Sequence, residues 1–157
     1  MSMSLHGNPA AADRLTPHEI AVLRRTFAQV QSQGTIAALL FYQILFDRDP
    51  SLRGMFHTSI ELQGRKLMDA LNFIISSLDS PARLSLMMEG LGRRHVAYGT
   101  TKEHYNTVRL ALLQMLAQTL GTGYTPEASA AWQKALEHVS AMMLRGAERS
   151  APAERPR

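Results

Sequence analysis

At 157 residues, 45% hydrophobic and 19% charged, the chain has the composition of one folded domain with a real interior and not of a disordered segment. The net charge of +4 and the pI near 9.9 come from arginines scattered along the chain, so there is no contiguous basic face of the kind nucleic-acid binding requires. There is no cysteine, which excludes disulfides, thiolate nucleophiles and thiolate-held metal centres. No stretch approaches the roughly 20 apolar residues needed to cross a bilayer, and the amino terminus lacks the apolar core of a secretion signal, so a cytoplasmic protein with no membrane partner is expected.

The first helix-start signal is Thr16-Pro17-His18-Glu19, an N-cap followed by a first-turn proline and a glutamate placed to close a capping box. Apolar recurrence near 3.6 after it predicts a helix over 17–32. A second helix is expected over 35–47, and Asp49-Pro50 opens a short turn over 50–55. Thr58 with Glu61 starts a helix over 59–78, Ser80-Pro81 one over 81–97, Thr100 with Glu103 one over 101–120, and Thr125-Pro126-Glu127 one over 126–147. Glycines 34, 99 and 121 are placed as helix stops. Valine and isoleucine are sparse, and neither period-two alternation nor an internal repeat is present, so the class is all-α. One domain over 15–148 is expected, with a flexible segment 1–14 before it and a flexible tail 149–157 after it.

Four segments hold side chains able to do chemistry. Gln63, Lys66 and Leu67 stand at i, i+3 and i+4 and share a helix face. Taken alone they describe the edge of a buried stripe with the lysine turned outward. His95 lies in Gly92-Arg93-Arg94-His95-Val96-Ala97-Tyr98-Gly99, near the end of a helix that stops at the glycine; taken alone such a histidine is more often a packed or surface residue than a ligand. Phe41-Tyr42 in the second helix and Phe56 closing the proline turn supply a phenol and a ring at a corner, which ordinary packing also explains. His57 would point away from whatever Phe56 packs on. His104 reads as a solvated helix-start residue, and methionines 87–88 and 142–143 as gap-filling core.

The order of these segments carries more than any one of them. A helix with Phe-Tyr is followed by a proline turn ending in Phe, then a helix with Gln and a Leu four residues later, then a His thirty-two positions after that Gln. In this order the chain resembles the globin family over about residues 15–147. GRRHVAYG followed by KEHY is similar to the proximal segment of bacterial single-domain globins and flavohaemoglobin haem domains, and Trp132 fits the same pattern. The resemblance implies a three-over-three globin fold with helices crossing at roughly 50°. It also implies haem b (iron protoporphyrin IX) wedged between the Gln63 and His95 helices. His95 would ligate the iron, Phe56 would pack on the porphyrin, and Tyr42, Gln63 and Leu67 would line the opposite face. Lys66 would sit at the pocket mouth near a propionate, and Tyr105 beside the proximal histidine.

The chemistry agrees with these roles. A neutral imidazole nitrogen binds haem iron while its other nitrogen donates to a carbonyl that fixes the ring. Glutamine is a poor iron ligand, so the sixth position stays open for a gas. A phenolic O–H and an amide N–H aimed at a bound, partly charged diatomic molecule contribute about 1.5–3 kcal/mol each, roughly ten- to a hundred-fold in affinity. One departure bears on mechanism. In flavohaemoglobin-like globins the tyrosine matching Tyr105 pairs with a glutamate in the last helix, but Ala147 stands at that position here, and Glu148 would face about 100° away. The expected function is reversible binding of O2, and of NO or CO, for transport or storage. The alternatives are a nitric oxide dioxygenase served by a reductase in trans, since the 157 residues hold no dinucleotide fingerprint, a gas sensor, and a haem-free helical interaction domain.

Overall fold

A computed structural model describes residues 14–150. Local capping chemistry places the helix starts. Thr16 Oγ1 accepts from Glu19 N at 3.1 Å and the Glu19 carboxylate accepts from Thr16 N at 2.8 Å, closing the capping box that opens α1, Pro17–Gln31. Next come α2, Gly34–Arg48, and a 3-10 turn, Pro50–Met55, in which Asp49 accepts from Ser51 N. They are followed by α3, Ile60–Ser76, α4, Pro81–Ala97, and α5, Lys102–Leu120. A second 3-10 turn, Gly121–Gly123, leads into α6, Pro126–Ser150. There is no strand among the described residues, and the order of elements is the one expected.

Five local expectations differ. Gly34 is the first residue of α2 and not the stop of α1, because Ser32 already caps the end of α1 through its backbone N–H. Ser59, not Thr58, caps α3, accepting from Leu62 N, which releases Thr58 for another bond. Thr101, not Thr100, caps α5, and the ring of His104 accepts from Thr101 N at 3.0 Å, so this histidine closes a capping box. Met87 is 45% exposed although Met88 beside it is buried, since one residue turns a helix by about 100°. The last helix continues to Ser150, past the predicted 147, and Arg149 within it pairs with Glu89. The flexible ends expected at 1–14 and 149–157 otherwise fall outside the described residues.

The buried set runs through every long helix. It is densest on α2, where Ala37, Ala38, Phe41, Tyr42, Ile44, Leu45 and Phe46 are all buried, so this helix is core on most of its circumference. α2 packs on α5 and α3, α1 packs on α6, and α4 packs on α6, giving the three-over-three arrangement. By contrast α3 and α4, although joined by a four-residue connection, hardly touch.

The centre of the α1–α6 contact is polar. Trp132, 1% exposed, donates from Nε1 to Thr26 Oγ1 at 2.8 Å, and Thr26, also 1% exposed, donates its own proton to Val22 O at 2.8 Å. Thr26 therefore satisfies the one polar atom of the largest buried side chain. Replacing Thr26→Val keeps the shape and strands the indole N–H away from water. A loss of about 1–3 kcal/mol is expected, read as a lower urea midpoint with an unchanged slope.

Candidate functional site

Tyr42 is held on α2 by rings on three sides. Phe41 packs edge-on at 4.8 Å, Phe56 edge-on at 5.5 Å, and Phe46 lies at 6.0 Å. Phe56 also packs on Phe46 at 5.5 Å, with the Arg53 guanidinium over the Phe46 ring. The corner that closes the proline turn is thus aromatic, as its composition suggested, and Phe56 is left half-buried at its edge.

The helices carrying Tyr42 and Gln63 cross closely. A Cβ placed at Gly64 would stand 2.9 Å from Ala38 Cβ, so the absence of a side chain at Gly64 lets α3 settle on α2. One turn beyond Ala38, the Tyr42 hydroxyl donates to the backbone carbonyl of Gln63 at 3.2 Å. The Gln63 carboxamide donates to Thr58 Oγ1, the hydroxyl that Ser59 freed by taking the cap. The two polar groups expected to face a ligand are therefore brought together, each engaged with a neutral protein acceptor. Thr58, which the sequence suggested only as a cap, belongs to this cluster. Leu67 is half-buried on the same helix and Lys66 is exposed.

His95 sits near the end of α4. Its Nδ1 lies 2.8 Å from the carbonyl oxygen of Leu91. A carbonyl can only accept, so Nδ1 carries the proton and the Nε2 lone pair of the neutral ring is free. Burial holds the imidazole below its ordinary range; the Leu91 carbonyl opposes that shift and the neighbouring Arg94 adds to it. Tyr98 packs edge-on against the ring at 5.6 Å and Tyr105 lies tilted at 6.4 Å. The Tyr105 hydroxyl is buried without a hydrogen-bond partner among the described residues, and Glu148 is exposed. The tyrosine–glutamate pair is not formed. His57 is exposed, as expected of a residue turned away from Phe56.

The residues present fit a flat apolar group with a metal at its centre. A neutral, half-buried imidazole offers a free Nε2. Half-buried Phe56, Leu67, Leu91 and Val108 are apolar side chains on separate elements, and the helices of Gln63 and His95 stand apart. Among the described residues no group of three His, Cys, Asp or Glu is arranged to hold a metal by itself. A groove of about 290 Å³ is lined by Leu15, Leu78, Leu84, Val139 and Met142 among others and includes none of these site residues.

A globin family model matches residues 39–143. The chain belongs to the globin family. This globin is 27% identical over 124 residues to a flavohemoprotein of Vibrio cholerae, covering 77% of the chain and 32% of that protein. It is 26% identical over 130 residues to an uncharacterized globin-like protein of Aquifex aeolicus, covering 83% of the chain and 92% of that protein. The globin spans about a third of the length of the flavohemoproteins it matches. Its fold matches the crystal structure of a hexacoordinated heme protein from an anhydrobiotic tardigrade with a TM-score of 0.79 at 16% identity, covering 85% of this chain and 96% of that one. No helix of this globin, among the described residues, is long and apolar enough to cross a membrane.

Burial also gives Tyr42 a readable titration. Its hydroxyl is pushed up to about 12 because the phenolate would be desolvated. The folded value lies above the unfolded value of about 10, so this contribution to stability is fully present below that pH and is lost as pH rises towards 12. Two units correspond to roughly 2–3 kcal/mol. Urea midpoints at about pH 9 and about pH 12 are expected to fall less for Tyr42→Phe than for the wild type, and an equal fall would contradict the burial.

Proposed function

We propose that this globin binds haem b and holds a diatomic gas, oxygen foremost, reversibly at a five-coordinate iron, with His95 as proximal ligand and Tyr42 and Gln63 as the polar groups opposite it. The observation that carries the reading is His95, whose only proton is committed to the Leu91 carbonyl and whose burial keeps it neutral, leaving Nε2 as a lone-pair donor. When bound, haem would supply an iron able to hold and release a diatomic gas, with His95 Nε2 as the donor from this chain.

The chain's own residues do the rest. The half-buried apolar side chains of Phe56 and Leu67 would exclude water from the bound group, and exposed Lys66 would pair with one of its carboxylates. Tyr42 offers its O–H by rotating it away from the Gln63 carbonyl, and Gln63 offers its amide by leaving Thr58. Each of those exchanges trades one neutral acceptor for a more strongly charged one. Gln63 is a poor metal ligand and His57 is exposed, which favours five-coordination over the hexacoordination named for the tardigrade protein. The unpaired Tyr105 hydroxyl favours a neutral proximal imidazole and hence gas binding over strongly activated chemistry. The likeness to flavohemoproteins favours nitric oxide dioxygenation as a second reading, with electrons supplied by a reductase.

Optical spectra of the haem-loaded protein as ferric, dithionite-reduced and oxygen-exposed forms test the assignment. A five-coordinate ferrous spectrum giving a stable oxygen complex is expected, lost in His95→Ala. Tyr42→Phe is expected to release oxygen about ten- to a hundred-fold faster. Consumption of added NO by the oxygenated form under turnover would select the dioxygenase reading. A protein that takes up no haemin, or a His95→Ala variant with an unaltered spectrum, would overturn the proposal.

A further inference from the structure

Two glycines face each other's helices where α4 meets α6. A Cβ built at Gly92 would stand 1.9 Å from the carbonyl oxygen of Met143, and one built at Gly146 would stand 2.0 Å from the carbonyl oxygen of Glu89. The obstructing atoms are backbone, which cannot rotate aside, so a methyl group at either position forces the helices apart by more than an ångström. The arrangement is reciprocal. Each glycine lies against the carbonyl of the residue three positions before the glycine on the other helix. Beside the crossing, the half-turned Glu89 carboxylate, 12% exposed, is met by Arg145 and Arg149 from α6 and by the Ser85 hydroxyl at 3.2 Å from α4.

α4 packs on α6 and on almost nothing else. Whatever sets the separation of these two helices therefore sets the place of the side chains on α4, and His95 lies three residues beyond Gly92. We propose that Gly92 and Gly146 are positioning residues: their backbone-to-backbone contact sets the distance and tilt of the His95 imidazole relative to the iron. This rests on the reading of His95 as the proximal ligand. The pair acts through α4 and touches no ligand.

Gly90 supplies an internal control. It lies on the same helix, and a Cβ there would meet only the far ends of the Arg93 and Arg94 side chains, at 3.6 and 3.8 Å. The test uses the full haem-loaded chain, reduced with dithionite, and reads the iron–histidine stretching band by resonance Raman together with the rate of haemin loss. Gly92→Ala and Gly146→Ala are expected to shift and broaden the band and to speed haemin loss, whereas Gly90→Ala leaves both as in the wild type. Glu89→Gln, which loosens the arginine pairs without adding bulk at the crossing, keeps the test open if either alanine variant fails to fold, and a broadened band is expected from it. A lowered melting temperature with the band unmoved in every folded variant would show that the glycines serve folding alone and would overturn the positioning role. A wild type with no such band, or a band that survives His95→Ala, overturns the ligand assignment itself and this proposal with it.

Discussion

The placement of α4 depends on one crossing. Most helices in this fold are held by two or three neighbours, so an error at one contact is averaged out by the others. α4 has α6 and little besides. At that crossing the backbones touch directly, because Gly92 and Gly146 present no side chain to hold them apart. A glycine in a helix interior costs about 1 kcal/mol relative to alanine, and two of them on opposed faces make sense only where close approach returns that cost through packing and through the Glu89–arginine pairs. Glu89 also illustrates why those pairs matter. A carboxylate with so little exposure would be expensive without partners, and two guanidiniums and a hydroxyl meet it.

The opposite side of the site is built on different principles. α2 is buried on most faces and α3 is seated on it at Ala38 and Gly64, so the backbone there has little freedom. The Tyr42 ring is fixed by three aromatic neighbours and only its hydroxyl proton can turn. Gln63 has a long side chain, half-buried, tethered by a single bond to an exposed threonine. Any conformational response on this side therefore belongs to Gln63 and Thr58, while Tyr42 answers by reorienting one O–H bond. The division follows from packing: rings locked edge-to-face do not swing, and a half-buried carboxamide held by one hydrogen bond does.

Much of this was readable in the residues. Proline, serine and threonine at helix starts located every long helix except α2 within a few positions, because capping is local chemistry that a short segment carries in itself. The order and spacing of Tyr42, Phe56, Gln63 and His95 marked the candidate residues, and the Nδ1 bond from His95 to a main-chain carbonyl was foreseeable from the chemistry of a neutral imidazole. What escaped was contact between distant segments. Which of Thr58 and Ser59 takes the cap is decided by backbone geometry at one residue, and with that decision goes the partner of Gln63. Gly92 and Gly146 read as unremarkable helical glycines until α4 and α6 are set against each other, since nothing in either segment announces that the other lies two ångströms from an absent methyl. The doubt over Tyr105 was legible from the displaced Glu148, and the unpaired hydroxyl is its structural form.

The two sides of the site differ in charge as well as in stiffness. On the His95 side the acceptor of the ring N–H is a neutral main-chain carbonyl, and the adjacent Tyr105 hydroxyl has no hydrogen-bond partner among the described residues. A carbonyl polarises an N–H less than a carboxylate does, so under the proposed reading the imidazole would be a plain neutral ligand that contributes position more than electron density. On the distal side two donors wait on neutral acceptors that a partly charged molecule would outcompete. Under the proposed reading, discrimination between one gas and another then rests with Tyr42 and Gln63, and the proximal helix sets only how near the iron His95 stands. Under the same reading, ligand preference would answer to substitutions on α2 and α3, and the strength of the hold on haem to the α4–α6 crossing.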